Sequence, residues 1–581
     1  MKSFFTALFL VLVIIFLSMP VQTFASGDTL VVYASDPNPL DVVIGSDTTA
    51  SGTQAHSVYK FVSLDTTYIF DATITVKSSV TFLGVLDPTT KRPPCIQPDV
   101  LPDNSIPGVL FTFTGTGTSY VLQNLYLLGI AINNVVNYGA GQAVQISSDN
   151  IRFRADNVIF ENWSQFALGY AGSNCKIYFY NCKFRNLTTQ PNQWYVGEAV
   201  RNENYNGVFH TDTLIMRYNT FLCMGGYAAC PVNNLTNYFR FDHNSFIYNY
   251  KNPFFLHRIT NARFTNNIFY SLYSGGQSLT EYNNLWDETS KQVGAIISLD
   301  SLTAQLDTLF DPEDINDPNL RALAEAKRHV ELKNNVYFWP AALQNLWTAW
   351  NDTATVDSVV TPVWMNTRTQ NMFNNPTGFP GFSESGTLAN TDPGFGSSIL
   401  EVLNPGDNGN VGLLNWFRVQ RGMTGTTELW GYQITQVVPN TIWVPDWPLP
   451  ESDDMQYSNT AMQTGGTDGK PLGDPNWFGI TLGVKDDNRL QVPDKFSLSD
   501  AYPNPFNPST NIKFTLAKSG IVSLKIYNVI GQLVMTVLSN QDMSKGNHEY
   551  NINMDGFASG VYFYTLKQGD NILTKKMVLL K

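Results

Sequence analysis

Charge is scarce in this chain: 14% of its 581 residues are Asp, Glu, Lys or Arg, against 43% hydrophobic residues. A large core is therefore within reach, and general disorder is excluded. The charges sum to −12 and form no Lys/Arg tract, which argues against nucleic acid as a partner, because phosphate binding needs clustered cations. Cysteine is sparse too. Cys95, Cys175, Cys182, Cys223 and Cys230 make five, an odd number with no zinc-type spacing and too few for a disulfide framework. Cys223 and Cys230 could close a short loop, but thiols buried in a core stack are the preferred reading. A phosphate-cradling glycine loop and a Gly-x-Ser-x-Gly elbow are both missing, so the enzyme classes built on them rank low. Long apolar runs are absent beyond the N-terminus. There, "MKSFFTALFLVLVIIFLSMPVQTFA" joins Lys2, an apolar stretch, Pro20 and the small residue Ala25. Residues 1–25 thus read as a secretory signal peptide, with an uncleaved anchor as the alternative, and the mature chain has no transmembrane segment.

What the chain does have is aromatics (13%), Asn and Gly. From Leu64 to Tyr337 one short phrase recurs: "VLQNLYL", "FRADNVIF", "YFYNCKF", "IMRYNTF", "FRFDHNSF", "ARFTNNIF" and "VELKNNVY". Each alternates like a strand, bends at Asn or Asp, then turns an apolar residue inward. Phe160 to Phe184, Phe221 to Phe246 and Phe246 to Phe269 are spaced by 24, 25 and 23 residues, a period that signals a stacked solenoid. The fold class expected is all-β: a right-handed parallel β-helix, whose coils bury their apolar faces only by stacking. Asn tolerates a left-handed bend and can bond the next coil's Asn, so Asn181, Asn244, Asn267 and Asn335 are expected to form a structural ladder. The Leu spacing of leucine-rich repeats is absent.

These phrases, with "YKFVSLDTTYIFDATITVKSSVTFLG" before them, resemble the pectin-lyase-like β-helix superfamily. "GTDGKPLGDPNWF" (Gly466–Phe478) resembles the ending of Bacteroidetes-type surface β-helix proteins of unassigned activity. The β-helix domain is expected over residues 26–483, with an insertion over about 285–390. Within it, Asp317 and Pro318 suit a helix start, "PAALQNLWTAW" reads as a second helix, and "TDPGF" as the return to the coil. Nine of the twelve tryptophans lie from Trp339 to Trp477. Trp347 and Trp350, with His257, are the candidates for binding sugar rings, because indole offers a broad apolar face. The competing and preferred reading makes such tryptophans pins that hold long loops to the solenoid.

Eliminative cleavage of an acidic polysaccharide needs a base beside the uronate carboxyl, a cation on that carboxylate, and help for the leaving oxygen. The resemblance implies an Arg, Lys or His base, often with Ca²⁺ held by acidic residues. The richest constellation is "GEAVRNENYNGVFHTDTLIMR", with Glu198, Arg201, Glu203, His210, Asp212 and Arg217. His210 and Asp212 share a strand parity. "FDHNSFIYNYKNPFFLHR" adds Asp242, His243, Lys251, His257 and Arg258. The catalytic candidates are His210, Asp212, Arg217 and Lys251. Against an enzyme, no Arg-rich phrase follows "FDHN", and the only Asp-Asp pairs, at 453–454 and 486–487, lie in loop-like sequence. Gly-His-Gly is missing, and an acidic chain repels polyuronates. Binding of extracellular polysaccharide is preferred; a polysaccharide lyase or glycoside hydrolase acting on an acidic glycan is the alternative.

Near Asp494 the language changes. Pro493, Pro503, Pro505 and Pro508 suggest a stiff linker, placed at 484–500. "TNIKFTLA", "GIVSLKIYNV", "QLVMTVL", "NHEYNINM", "GVYFYTLKQG" and "NILTKKMVLLK" then predict a small Ig-like antiparallel sandwich over 501–581. That stretch carries eight Lys against four acidic residues, net +4, leaving −16 for the rest. "YPNPFNPST", "LKIYNVIGQLV", "DGFASGVYFYTL" and "TKKMVLL" resemble the type A C-terminal sorting domain of the type IX secretion system. The resemblance implies Sec export, recognition by the type IX machinery, passage across the outer membrane, and then surface attachment or release. A plain adhesive Ig-like or fibronectin-like tail is the alternative.

Overall fold

A computed structural model describes residues 28–581, apart from 65, 133–139, 188–196, 205–208, 233, 251, 257, 275–276, 279–294, 301, 303–324, 354–358, 397–398, 400–435, 439–441, 444–454, 481–495, 517–519, 544–545, 570 and 581. It divides into two compact units, Met1–Leu482 and Gly483–Lys581.

The first unit is a parallel β-helix. Among the described residues, three long sheets of eleven, ten and six strands run along it, and every pairing within them is parallel. One coil runs through Gln142–Ile146, Arg152–Asp156 and Ile159–Glu161. The next coil pairs Phe166 with Gln142, Lys176 with Arg152, and Lys183 with Ile159. The aromatic spacing seen in the sequence is this register: Phe160 pairs with Phe184, Phe221 with Phe246, and Phe246 with Phe269. The rings stack inside, with centroids 5.2 Å apart for Phe160–Phe184 and 4.7 Å for Phe184–Phe221. Each fully buried ring contributes about 1.5–3 kcal/mol by leaving water. All five cysteines are buried, and burial pushes the Cys95 and Cys175 thiols up to about 12.

Between the eleven- and ten-stranded sheets the chain turns in two residues. The first is left-handed, at Asn124, Asn157, Asn181, Tyr218, His243, Asn266 and Asn334. The second is the ladder. Asn219 Nδ2 donates to Asn244 Oδ1 (3.0 Å), Asn244 Nδ2 to Asn267 Oδ1 (3.2 Å) and Asn267 Nδ2 to Asn335 Oδ1 (2.9 Å). Asn244, Asn267 and Asn335 thus stand where the sequence placed them, but Asn181 does not. It holds a left-handed position, and the rung beside it is Cys182, whose N–H donates to Asn219 Oδ1. The rung is the residue after the bend, so "YNCKF" supplies Asn one place early.

A short helix, Leu40–Ser46, buries Leu40 and Ile44 against the first coils. Ala341–Thr353 is helical, as "PAALQNLWTAW" predicts; the helix expected after Asp317 lies outside the described residues. The return to the coil comes earlier than Thr391. Phe382–Ser385 pairs with His329–Lys333, and Leu388–Ala389 with Val336–Phe338. The first of these strands, Phe-Ser-Glu-Ser, is largely polar and the second is two residues long, so alternation did not mark them. Phe395 instead forms an antiparallel bridge to Tyr457 and leads out of the stack.

The segment around "GTDGKPLGDPNWF" straps the outside of the corner, crossing coils in reverse order. Asn334 Nδ2 donates to Gly465 O, Thr467 N to Asn266 Oδ1, Asp474 N to Ser245 Oγ, and Asn476 Nδ2 to Asn181 Oδ1. Trp477 Nε1 donates to Thr220 Oγ1 (2.7 Å), and Lys183 Nζ sits 4.4 Å from the Trp477 ring centre. Asp474, 3% exposed, accepts from Thr220 Oγ1 and from the Asn476 backbone and side chain; burial nonetheless pushes its carboxyl up to about 6.

In the second unit, antiparallel sheets of three and four strands enclose a core that includes Leu524, Ile526, Tyr564 and Leu566. Pro503, Pro505 and Pro508 are no spacer ahead of it, while Pro493 lies outside the described residues. Ser497–Leu498 already pairs with Phe514 and Thr515, Ala501 and Phe506 are buried in the core, and Phe506 N donates to Val578 O. Proline, which cannot donate, suits this edge position.

Candidate functional site

Among the described residues, the expected catalytic group does not converge. His210 and Asp212 stand at one end of the strand Thr211–Arg217, and Arg217 at the other. Five residues of strand separate Asp212 from Arg217 by ~16 Å. His210 Nδ1 accepts from Leu235 N (3.3 Å), so that nitrogen carries no proton, and burial lowers the imidazole's pKa. Asp212 is the extra residue at a register shift against Cys175–Lys176, and Thr213 Oγ1 donates to it. Lys251 and His257 lie outside the described residues, as does the Trp350 side chain.

Arg217 is a structural cation. Its Nε donates to Asp242 Oδ2 (2.9 Å), its Nη2 donates to Tyr218 Oη, and the guanidinium lies over the Tyr218 ring. Asp242 also accepts from Arg240, Thr265 and Asn266. Burial raises its pKa, but His243, Arg240, Arg217 and the Thr265 hydrogen bond outweigh that, and the carboxyl titrates below its ordinary value. With four donors on two oxygens, Asp242 is occupied as a corner brace. His243 is taken by the strap, with Nδ1 3.0 Å from Pro471 O and Nε2 3.2 Å from Asp468 Oδ1.

Trp347 offers no face to a sugar: it is 4% exposed and its Nε1 donates to Ser274 O. Trp339, Trp364 and Trp477 are likewise buried and each donates a hydrogen bond. Each tryptophan of the region whose side chain is described is a pin.

The polar residues that do gather lie on the six-stranded sheet. Register aligns Thr75, Thr112, Gln145, Gly169, Arg201 and Cys230 across it. Their neighbours one residue back, Ile74, Phe111, Val144, Leu168, Val200 and Ala229, are core. The alternation of a strand therefore turns the Gln145–Gly169–Arg201 row outward. Gly169 makes a gap in that row, and Glu203 folds into it: a Cβ on Gly169 would stand 2.0 Å from Glu203 Oε1 and 2.7 Å from Gln142 Oε1. Neither oxygen receives a well-formed hydrogen bond, although Gln142 is only 6% exposed. Burial raises the Glu203 pKa, and side-chain hydrogen bonds from Gln142 and Gln145 to the carboxyl, with the Arg201 charge, offset this only in part. Arg201 is held by Glu198, at 2.6 Å, and by the Phe166 ring, 5.5 Å away. Two acceptors short of donors, a carboxyl that resists ionisation, a held cation and an aromatic ring make a surface suited to hydroxyl-rich ligands.

Glu198, Arg201 and Glu203 were visible in the sequence constellation; Gln142, Gln145 and Gly169 were not, being 24 or more residues upstream of Arg201. Among the described residues, no three His, Cys, Asp or Glu side chains are arranged to hold a metal ion. A cavity of about 250 Å³ near the N-terminal helix is lined partly by Asp36, Asp71 and Asp99, and burial together with the Asp41 and Asp99 charges raises the Asp71 pKa.

Residues 500–580 match the family of secretion system C-terminal sorting domains. No curated protein and no solved structure matches the chain. The sorting domain directs export by the type IX secretion system to the cell surface or beyond, and makes that machinery a partner. No described helix is long and apolar enough to cross a membrane.

Proposed function

We propose that the β-helix unit binds an extracellular polysaccharide along its six-stranded sheet, in a pectin-lyase-like architecture preceded by a signal peptide at 1–25. One observation carries this reading: Glu203 Oε1 and Gln142 Oε1 converge over Gly169 without donors. Sugar hydroxyls supply such donors, and a buried acceptor left unpaired costs about 1–3 kcal/mol. Arg201 and Phe166 fit an acidic sugar beside them, as cation and apolar platform. The reading is tested by titrating the full-length secreted protein against a panel of neutral and acidic glycans. Binding to at least one glycan, weakened on the order of ten-fold by Glu203→Gln or Arg201→Ala, is expected. Binding that both variants leave unchanged overturns it.

A second reading, cleavage of an acidic glycan, is favoured by the raised Glu203 pKa, since a partly buried carboxyl that holds its proton more tightly than usual suits proton transfer. Unsaturated or newly reducing ends released by the wild type but not by Glu203→Gln support it. Binding without product removes it.

A further inference from the structure

The four-stranded sheet of the second unit carries side chains on its outer face that its own fold does not use. Register places Leu533, Tyr527, Phe563 and Lys576 side by side in one row. Leu533 is 50% exposed and Phe563 36%. The next rows hold Thr536, Lys525, Thr565 and Thr574, then Ser523, Lys567 and Ile572. Beyond Tyr527 the hairpin tip presents Val529 and Ile530 to solvent, 66% and 73% exposed. Aliphatic side chains are poor turn residues, since Asn, Asp and Gly meet a turn's needs. Here those needs are met by the neighbours. Asn528 Oδ1 accepts from Ile530 N and Gln532 N, Asn528 Nδ2 donates to Gln532 Oε1, and Gly531 supplies the left-handed φ of 79°. Val529 and Ile530 are thus held out on a braced turn, contiguous with the row in which exposed Leu533 and Phe563 flank a half-buried Tyr527.

Charge narrows the occupant. Lys525, Lys567 and Lys576 spread across the same face, none in an ion pair among the described residues, and no Asp or Glu stands in these rows. An apolar knob with a cationic apron fits a protein groove rimmed by carboxylates. We propose that this face, centred on Val529, Ile530, Leu533, Tyr527 and Phe563, is the surface by which a protein of the type IX export machinery grips the chain. The proposal rests on the sorting role of residues 500–580.

The test uses the full chain in a type IX-competent host, fractionated into periplasm, cell surface and medium. Val529→Asp with Ile530→Asp raises the periplasmic share on the order of ten-fold, since a charge in an apolar anchor removes hot-spot binding. Lys525→Glu, Lys567→Glu and Lys576→Glu together raise it several-fold, about half as much on a logarithmic scale. Thermal unfolding of each purified full-length variant checks that the domain still folds; should the Asp pair unfold it, Val529→Ser with Ile530→Ser replaces it. Folded variants exported at the wild-type level overturn the proposal. So does normal export with loss of surface retention, which assigns the face to an anionic lipid headgroup instead. A chain ending at Pro493 separates the premise: if that chain reaches the surface, the sorting role itself fails.

Discussion

The two units keep polar and apolar groups in opposite places. The β-helix carries fully buried asparagines at its corner, while the sorting unit holds Val529 and Ile530 out in water. The reason is how each closes its backbone. A coil turning in two residues leaves N–H and C=O groups inside, which must find partners. Asn answers this by bonding the next coil's Asn as well as the chain: Asn244 Nδ2 reaches both Met216 O and Asn267 Oδ1. In the sorting unit, antiparallel neighbours satisfy one another along the strands, so its surface is free to serve recognition. Buried polarity at the corner of the first unit therefore belongs to the fold, and the exposed apolar turn of the second is left for the proposed partner.

Breaking the stack should have the largest effect. Phe221→Ala should destabilise the β-helix unfolding transition by about 4 kcal/mol, because its ring packs between Phe184 and Phe246. Calorimetry should show the sorting unit's transition unmoved; a joint shift would mean that the two units unfold together. Asn244→Ala follows, at about 3 kcal/mol, since it strands the Asn219 backbone N–H and side-chain amide in the interior. A loss as small as that of a surface substitution would show that the ladder is dispensable.

Asp474 tests the corner from outside. Its carboxyl titrates at about 6 in the fold against 3.8 for the free group. A folded pKa above the unfolded value favours folding most below the unfolded pKa, and that contribution is lost as pH rises through the folded pKa. Denaturant unfolding should therefore show the β-helix losing up to about 3 kcal/mol between pH 4 and pH 7 through this group. Asp474→Asn should flatten that dependence and stabilise the protein above pH 6. An unchanged pH profile would mean that the three donors on Asp474 already compensate its burial. The smallest effect is expected at the recognition turn: Asn528→Ala should cost the sorting unit about 1 kcal/mol, with no change in the β-helix transition.

Much of this organisation was legible along the chain. The solenoid showed in Phe160, Phe184, Phe221 and Phe246 because stacked coils repeat one environment, and each repeat selects the same kind of residue. The six strands of the tail were legible through alternation. The site was less so. "GEAVRNENYNGVFHTDTLIMR" looks like one constellation, yet Glu198–Asn202 and Thr211–Arg217 belong to different sheets. Arg217 proved to be a brace and Trp347 a pin, because a residue's type states what it can do and not which neighbour has already engaged it.

By itself, the sequence determined the all-β class, the coil period and the sorting tail, since each is written in residues close together or regularly spaced. Only the tertiary structure decided that Ala501 and Phe506 pack into the core of the sorting domain, that Asn219 and not Asn181 is a ladder rung, and that Gln142 and Glu203 meet over Gly169. Those facts depend on which strand lies beside which. That adjacency is set by the burial of whole coils, and no single stretch of chain contains it.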